Sequence, residues 1–231
     1  MKRIMVTGFP HCGTTILRAK IGECRNVYED VREDRFPQPE TKIGAWKGRY
    51  PFVVWKDPVL PLPLLMNGWE HLEHMPSYRD NIMIVIIRNP YYALSSLVDG
   101  WFMNPYKTEN EMLSSYEKTA AIWLKFKENP HRFPNVFPIK YEEMFENNYE
   151  VLKTTFRKIG LEFSDDIFEN KTKDYELMTY KGRAVVREEQ INKPFVNNNG
   201  MKPVRLSYFI MNNLNRNLLI QNKLGYKNPL K

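Results

Sequence analysis

The chain has 231 residues, with 34 Lys+Arg against 27 Asp+Glu and a formal charge of +7. At 42% hydrophobic and 26% charged it is an ordinary folding mixture, which excludes a disordered chain, and its length suits one domain over residues 1–231. The longest apolar run, Ile82–Ile87, is far short of the ~20 residues that cross a bilayer. The opening MKRIMVTGFPHCG reaches Gly and Pro too early for a secretory signal, and Cys12 and Cys24 cannot build a disulfide framework. The expected compartment is therefore reducing and cytoplasmic. The basic residues are scattered and form no long run, so a small polyanion held in a cleft suits the charge better than nucleic acid.

In chain order, Ile4-Met5-Val6-Thr7 stopped by Gly8 predicts a buried strand. A helix follows from Thr14 to Gly22, with apolar Ile16, Leu17, Ala19 and Ile21. Pro51–Trp55 predicts a second strand, ended by Lys56-Asp57-Pro58. Ile82–Ile87 is apolar at every position, as a parallel strand covered on both faces should be. Helices are expected from about Tyr91 to Phe102 and from Glu109 to Asn129. Val136–Ile139 reads as a strand near a sheet edge, because Pro138 cannot donate to a ladder. A helix from Tyr149 to Ile159 stops at Gly160, and a closing helix runs from Leu206 to Leu224. The polar stretch of about 165–205 carries no clear periodicity, leaves its elements open and suits a cover segment over the ligand. Strands alternating with helices imply an α/β fold: a P-loop-type parallel sheet in three αβα layers, with ligands outside the carboxyl ends of the strands.

Those ends carry the chemistry. Gly8-Phe9-Pro10-His11-Cys12-Gly13-Thr14-Thr15 has the GxxxxG-x-[ST] frame in which backbone N–H groups and a helix N-terminus face an oxyanion. Thr14 and Thr15 offer hydroxyls and a helix cap. Thr14 stands where an ATP-binding loop has its Lys, so a triphosphate is poorly compensated here. A second frame overlaps: His11-Cys12 and Arg18 fit HCx5R, the pattern of cysteine-dependent phosphatases, although Gly13 and Ala19 depart from the usual spacing. At the third strand, Arg88 ends an apolar run and Ser96 lies in the following helix; together they suit a phosphate clamp. Two separate anion sites fit a nucleotide phosphorylated at both ends.

With these motifs in place the chain resembles the sulfotransferases that use 3′-phosphoadenosine 5′-phosphosulfate (PAPS). Pro10-His11-Cys12-Gly13-Thr14-Thr15 is similar to that family's PxxGTT loop, which binds the 5′-phosphosulfate. Arg88, Pro90 and Ser96 match its RxPxxxxxS element, which binds the 3′-phosphate. Lys140-Tyr141-Glu142-Glu143 resembles its Tyr-Glu-[Asp/Glu] element, which implies that Tyr141 lies near the adenine. Lys56-Asp57-Pro58 resembles the Lys-Asp-Pro of some branches, whose Lys contacts the sulfuryl group, and Leu224-Gly225-Tyr226 is like the end of their closing helix.

The resemblance implies sulfuryl transfer from PAPS, without a metal, to a hydroxyl or amine of a small-molecule or glycan acceptor. His11 and Cys12 replace the family's usual Lys/Arg and Ser, so a leaving-group role for His11 depends on its protonation. Glu29 is the candidate general base, with Glu33 and Asp57 behind it. Lys181 and Arg183 are candidates for the basic cover of the 3′-phosphate. The rival readings are a cysteine phosphatase, a P-loop nucleotide kinase, and a nucleotide-binding module without catalysis.

Overall fold

The computed structural model describes residues 2–29, 50–56, 81–99, 106–169, 177–180, 183–186 and 195–230, with 177–180 and 183–186 as backbone. Five strands form one parallel sheet: β1 (Lys2–Gly8), β2 (Val27–Glu29), β3 (Phe52–Lys56), β4 (Asn81–Ile87) and β5 (Val136–Lys140), in spatial order β2-β3-β1-β4-β5. The central strand β1 pairs Val6 with Lys56 of β3 and Gly8 with Ile86 of β4. The β4 run Ile82–Ile87 is buried throughout, which follows from helices on both faces. Pro138 sits in β5 at the sheet edge, where its missing N–H costs no ladder bond.

The helices are α1 (Thr14–Gly22), α2 (Pro90–Asp99), α3 (Glu109–Glu128), α4 (Glu150–Ile159), the short α5 (Asp166–Glu169) and α6 (Tyr208–Arg216). Helix α3 starts at Thr108, whose side chain accepts from Glu111 N–H, and it places acids in its first turn and lysines in its last. Its Trp123 fixes it to the sheet by donating to the Val85 carbonyl at 3.1 Å. Helix α4 ends at Gly160 in the left-handed conformation, φ 88°, as its glycine predicts.

Two features differ from the sequence expectation. The three-residue β2 is too short to leave a periodic signal. The closing helix is broken: α6 stops at Asn217 and a π-turn follows over Leu219–Lys223. Asn217 breaks it by donating to Glu117 at 2.6 Å and accepting from Ile220 N–H at 3.1 Å, a local alternative to helical bonding. In the polar stretch that the sequence left open, β6 (Leu177–Tyr180) and β7 (Arg183–Val186) pair antiparallel. Among the described residues no helix is long and apolar enough to cross a membrane.

Candidate active site

The carboxyl ends of β1, β3, β4 and β5 bring Gly8, Lys56, Arg88 and Tyr141 to one edge of the sheet. The loop from Gly8 to Gly13 is held tightly. A Cβ at Gly8 would lie 2.1 Å from the Ile86 carbonyl oxygen, so only glycine lets the loop leave β1 so close to β4. Gly13 has φ 91°, and a Cβ there would lie 2.6 Å from the Tyr141 ring. His11 also takes a left-handed conformation, φ 62°, which is costly for a residue with a Cβ and marks a constrained turn. Gly13 is the N-cap of α1 and no side chain caps it, so the expected capping by Thr14 or Thr15 does not occur. Thr15 is instead hydrogen-bonded by Lys56, a residue only 3% exposed at the end of β3.

Arg88 ties the two anion-binding motifs together. Its Nη1 donates to the His11 carbonyl at 3.1 Å, and the His11 ring lies 3.0 Å from the Ser96 hydroxyl through Nδ1. Arg88 is 7% exposed, and its guanidinium stacks 4.6 Å from the centre of the Tyr141 ring. Its Nε donates to Asn199 at 2.7 Å and its Nη2 to Asn198 at 2.8 Å. Tyr116 holds the Arg88 backbone through its carbonyl at 2.6 Å. Among the described residues, none of the Arg88 hydrogen bonds goes to a carboxylate. A buried cation held by neutral oxygens keeps its charge, and that is the electrostatic requirement of an anion site.

The sulfotransferase domain family matches residues 1–203. The chain belongs to that family. The sulfotransferase domain from the curacin biosynthetic pathway has the same fold, with a TM-score of 0.59 at 14% identity over 99% of each chain. The sulfotransferase domain of the Synechococcus PCC 7002 olefin synthase gives 0.57 at 15% identity over 99% of this chain and 96% of that one. A mouse sulfotransferase complexed with PAP gives 0.55 at 16% identity, over 98% and 85%. At these identities the likeness is one of fold. No curated protein matches the chain.

Of the residues predicted for this sulfotransferase's site, the structure gathers Pro10 to Thr15, Lys56, Arg88, Ser96 and Tyr141. Tyr141 is 2% exposed and lies between the loop and Arg88, with its hydroxyl donating to Asn198 at 2.8 Å. It supports the site from beneath and is not an open platform for a base.

Glu29 is not gathered. It pairs with Arg18 at 3.1 Å and lies against Gly22, where a Cβ would come within 2.7 Å of its carboxyl carbon. Gly22 is the last residue of α1, ~12 Å along the helix from Thr14. Glu29 is thus the counter-ion of buried Arg18, and to act as a general base it would have to leave that pair. The same pair removes Arg18 from the anion, which undercuts the phosphatase frame. Cys12 undercuts it further: burial pushes its thiol up to about 12, the opposite of a nucleophile's depressed value.

Glu33, Asp57 and Lys181 lie outside the described residues, and Arg183 lies in β7. The polar partners of the Arg88 side chain in this stretch are Asn198 and Asn199. Sequence reasoning missed both, although three Asn before Gly200, whose φ is 81°, form a turn signal. It also missed Glu142 as an organising residue. That carboxylate accepts from Asn89 N–H at 2.9 Å, Asn199 Nδ2 at 2.8 Å and the Tyr226 hydroxyl at 3.1 Å.

Proposed function

We propose that this sulfotransferase moves a sulfuryl group from PAPS to a hydroxyl or amine of an acceptor, with a sugar among the candidates. The observation that carries the reading is the junction of the two anion motifs: Arg88 on the His11 carbonyl and the His11 ring on Ser96. The mouse neighbour complexed with PAP supports the choice of nucleotide.

The residues present fit such a donor. The backbone N–H groups of Gly13 to Thr15 would receive the 5′-phosphosulfate, the Cys12 N–H being taken by the Phe9 carbonyl at 3.2 Å, and Arg88 with Ser96 would receive the 3′-phosphate. In the reaction the bond from sulfur to the 5′-phosphate oxygen breaks and a bond to the acceptor oxygen or nitrogen forms. Charge gathers on the leaving phosphate oxygen, which buried Lys56 and partly exposed His11 would stabilise. The acceptor's proton passes to a base. With Glu29 committed to Arg18, Glu33 and Asp57 are the remaining carboxylate candidates.

Incubation with sulfur-labelled PAPS and a panel of sugars, phenols, lipids and peptides tests the reading. Label is expected in at least one acceptor class, and Arg88→Ala should weaken donor binding by ~2–5 kcal/mol. No transfer to any class, together with phosphate release from a phosphatase substrate, would return the assignment to the cysteine reading.

A further inference from the structure

Arg88 and Glu142 carry opposite charges on adjacent elements, and one amide stands between them. Asn199 Oδ1 accepts from Arg88 Nε at 2.7 Å, and Asn199 Nδ2 donates to Glu142 Oε1 at 2.8 Å. The orientation of that amide is fixed by its neighbours, because a guanidinium only donates and a carboxylate only accepts. Glu142 is pinned from its other sides by Asn89 N–H and the Tyr226 hydroxyl. The Arg88 fork, meanwhile, is occupied at Nε by Asn199 and at Nη2 by Asn198. Nε and Nη2 form an edge on which a carboxylate makes a bidentate pair. Two amide oxygens hold that edge without cancelling the charge.

We propose that Asn199 is a positioning residue: it keeps Glu142 from pairing directly with Arg88, so that the whole cationic charge of Arg88 serves the 3′-phosphate of the nucleotide. The proposal rests on the donor reading above. A direct ion pair would leave the phosphate competing with a carboxylate already in place. The amide instead passes hydrogen bonding from one charge to the other and leaves the guanidinium oriented, stacked on Tyr141 and still positive.

The test is calorimetric titration of the full chain with adenosine 3′,5′-bisphosphate and with adenosine 5′-monophosphate. The ratio of the two dissociation constants measures what the 3′-phosphate adds. Asn199→Asp keeps the shape and puts an anion on Arg88 Nε. It is expected to cut that ratio about tenfold or more, toward the Arg88→Ala value, and to leave monophosphate affinity within about twofold. Asn199→Ala removes the spacer without adding charge and should lower the ratio by less. An unchanged or increased ratio in both variants overturns the proposal, and so does equal weakening of both nucleotides, which would mark Asn199 as a structural part of the cover. A wild-type chain that binds neither nucleotide would instead refute the donor reading itself.

Discussion

Cys12 shows how far a single side chain's environment can reverse its apparent chemistry. In the sequence it follows His11 and precedes an Arg by six positions, the dress of a nucleophile. In the fold it is wholly buried beneath the loop, and burial raises its thiol from 9.0 to about 12 against the smaller opposing pull of Arg88. The sign of the consequence follows from linkage. The unfolded chain loses this proton near pH 9.0 and the folded chain holds it to about 12, so stability is full below 9 and falls as pH rises through that window. One thiol contributes a slope of ~1.4 kcal/mol per pH unit there. Cys12→Ser, which does not titrate, should remove that slope. Urea unfolding of both proteins at pH 8, 9.5 and 10.5 measures it: the stability difference should shrink steadily above pH 9. Parallel pH dependences would mean that the thiol ionises in the folded protein.

At the scale of elements, the part of the site invisible in the sequence is the one assembled by long-range packing. The loop after β1 and the Arg88 corner were legible because each is a local device: glycines where backbone approaches backbone, and a charged residue ending an apolar strand. Asn198 and Asn199 carry only a turn signal, which says nothing about Arg88. They reach Arg88 because Phe195, 2% exposed, is anchored among aromatics contributed by other elements. Its ring centre lies 5.0 Å from Phe145 and 5.7 Å from Tyr149, and the Lys20 ammonium sits 5.4 Å over it. These partners are far away in the chain, so neither periodicity nor spacing announces them. The position of Glu29 was illegible for the same reason, since only the fold brings it to Arg18. If Phe195 is the anchor, Phe195→Ala should detach the cover at a cost of ~3–5 kcal/mol while sparing the sheet. Hydrogen exchange should then quicken at residues 196–200 and stay slow in β1 and β4. Equal acceleration throughout would show that Phe195 belongs to the global core, with no separate hold on the cover.

For the whole molecule, the parallel sheet was readable from alternation of strands and helices, whereas the uneven spread of charge matters only once the fold is known. Seven of the 34 Lys+Arg and none of the 27 Asp+Glu fall after residue 190. The first 190 residues are therefore balanced in charge, and the surplus is carried by the stretch whose Asn198 and Asn199 hydrogen-bond Arg88. An anion bound at Arg88 is attracted by both the sheet edge and this tail, and it should draw the two together. A ligand that binds only the folded state stabilises it by ~2.7 kcal/mol at a hundred times its dissociation constant. In a chain of this length that amounts to a Tm rise of about 5–10 °C. Adenosine 3′,5′-bisphosphate without Mg²⁺ should give such a rise, and it should shrink at 0.5 M NaCl, where screening shortens the reach of the tail's charge. Adenosine, which has the same base and no phosphate, should give almost none. A rise of the same size with adenosine would place recognition in the base and not at the two anion motifs, and a rise indifferent to salt would confine the attraction to groups in direct contact with the phosphates.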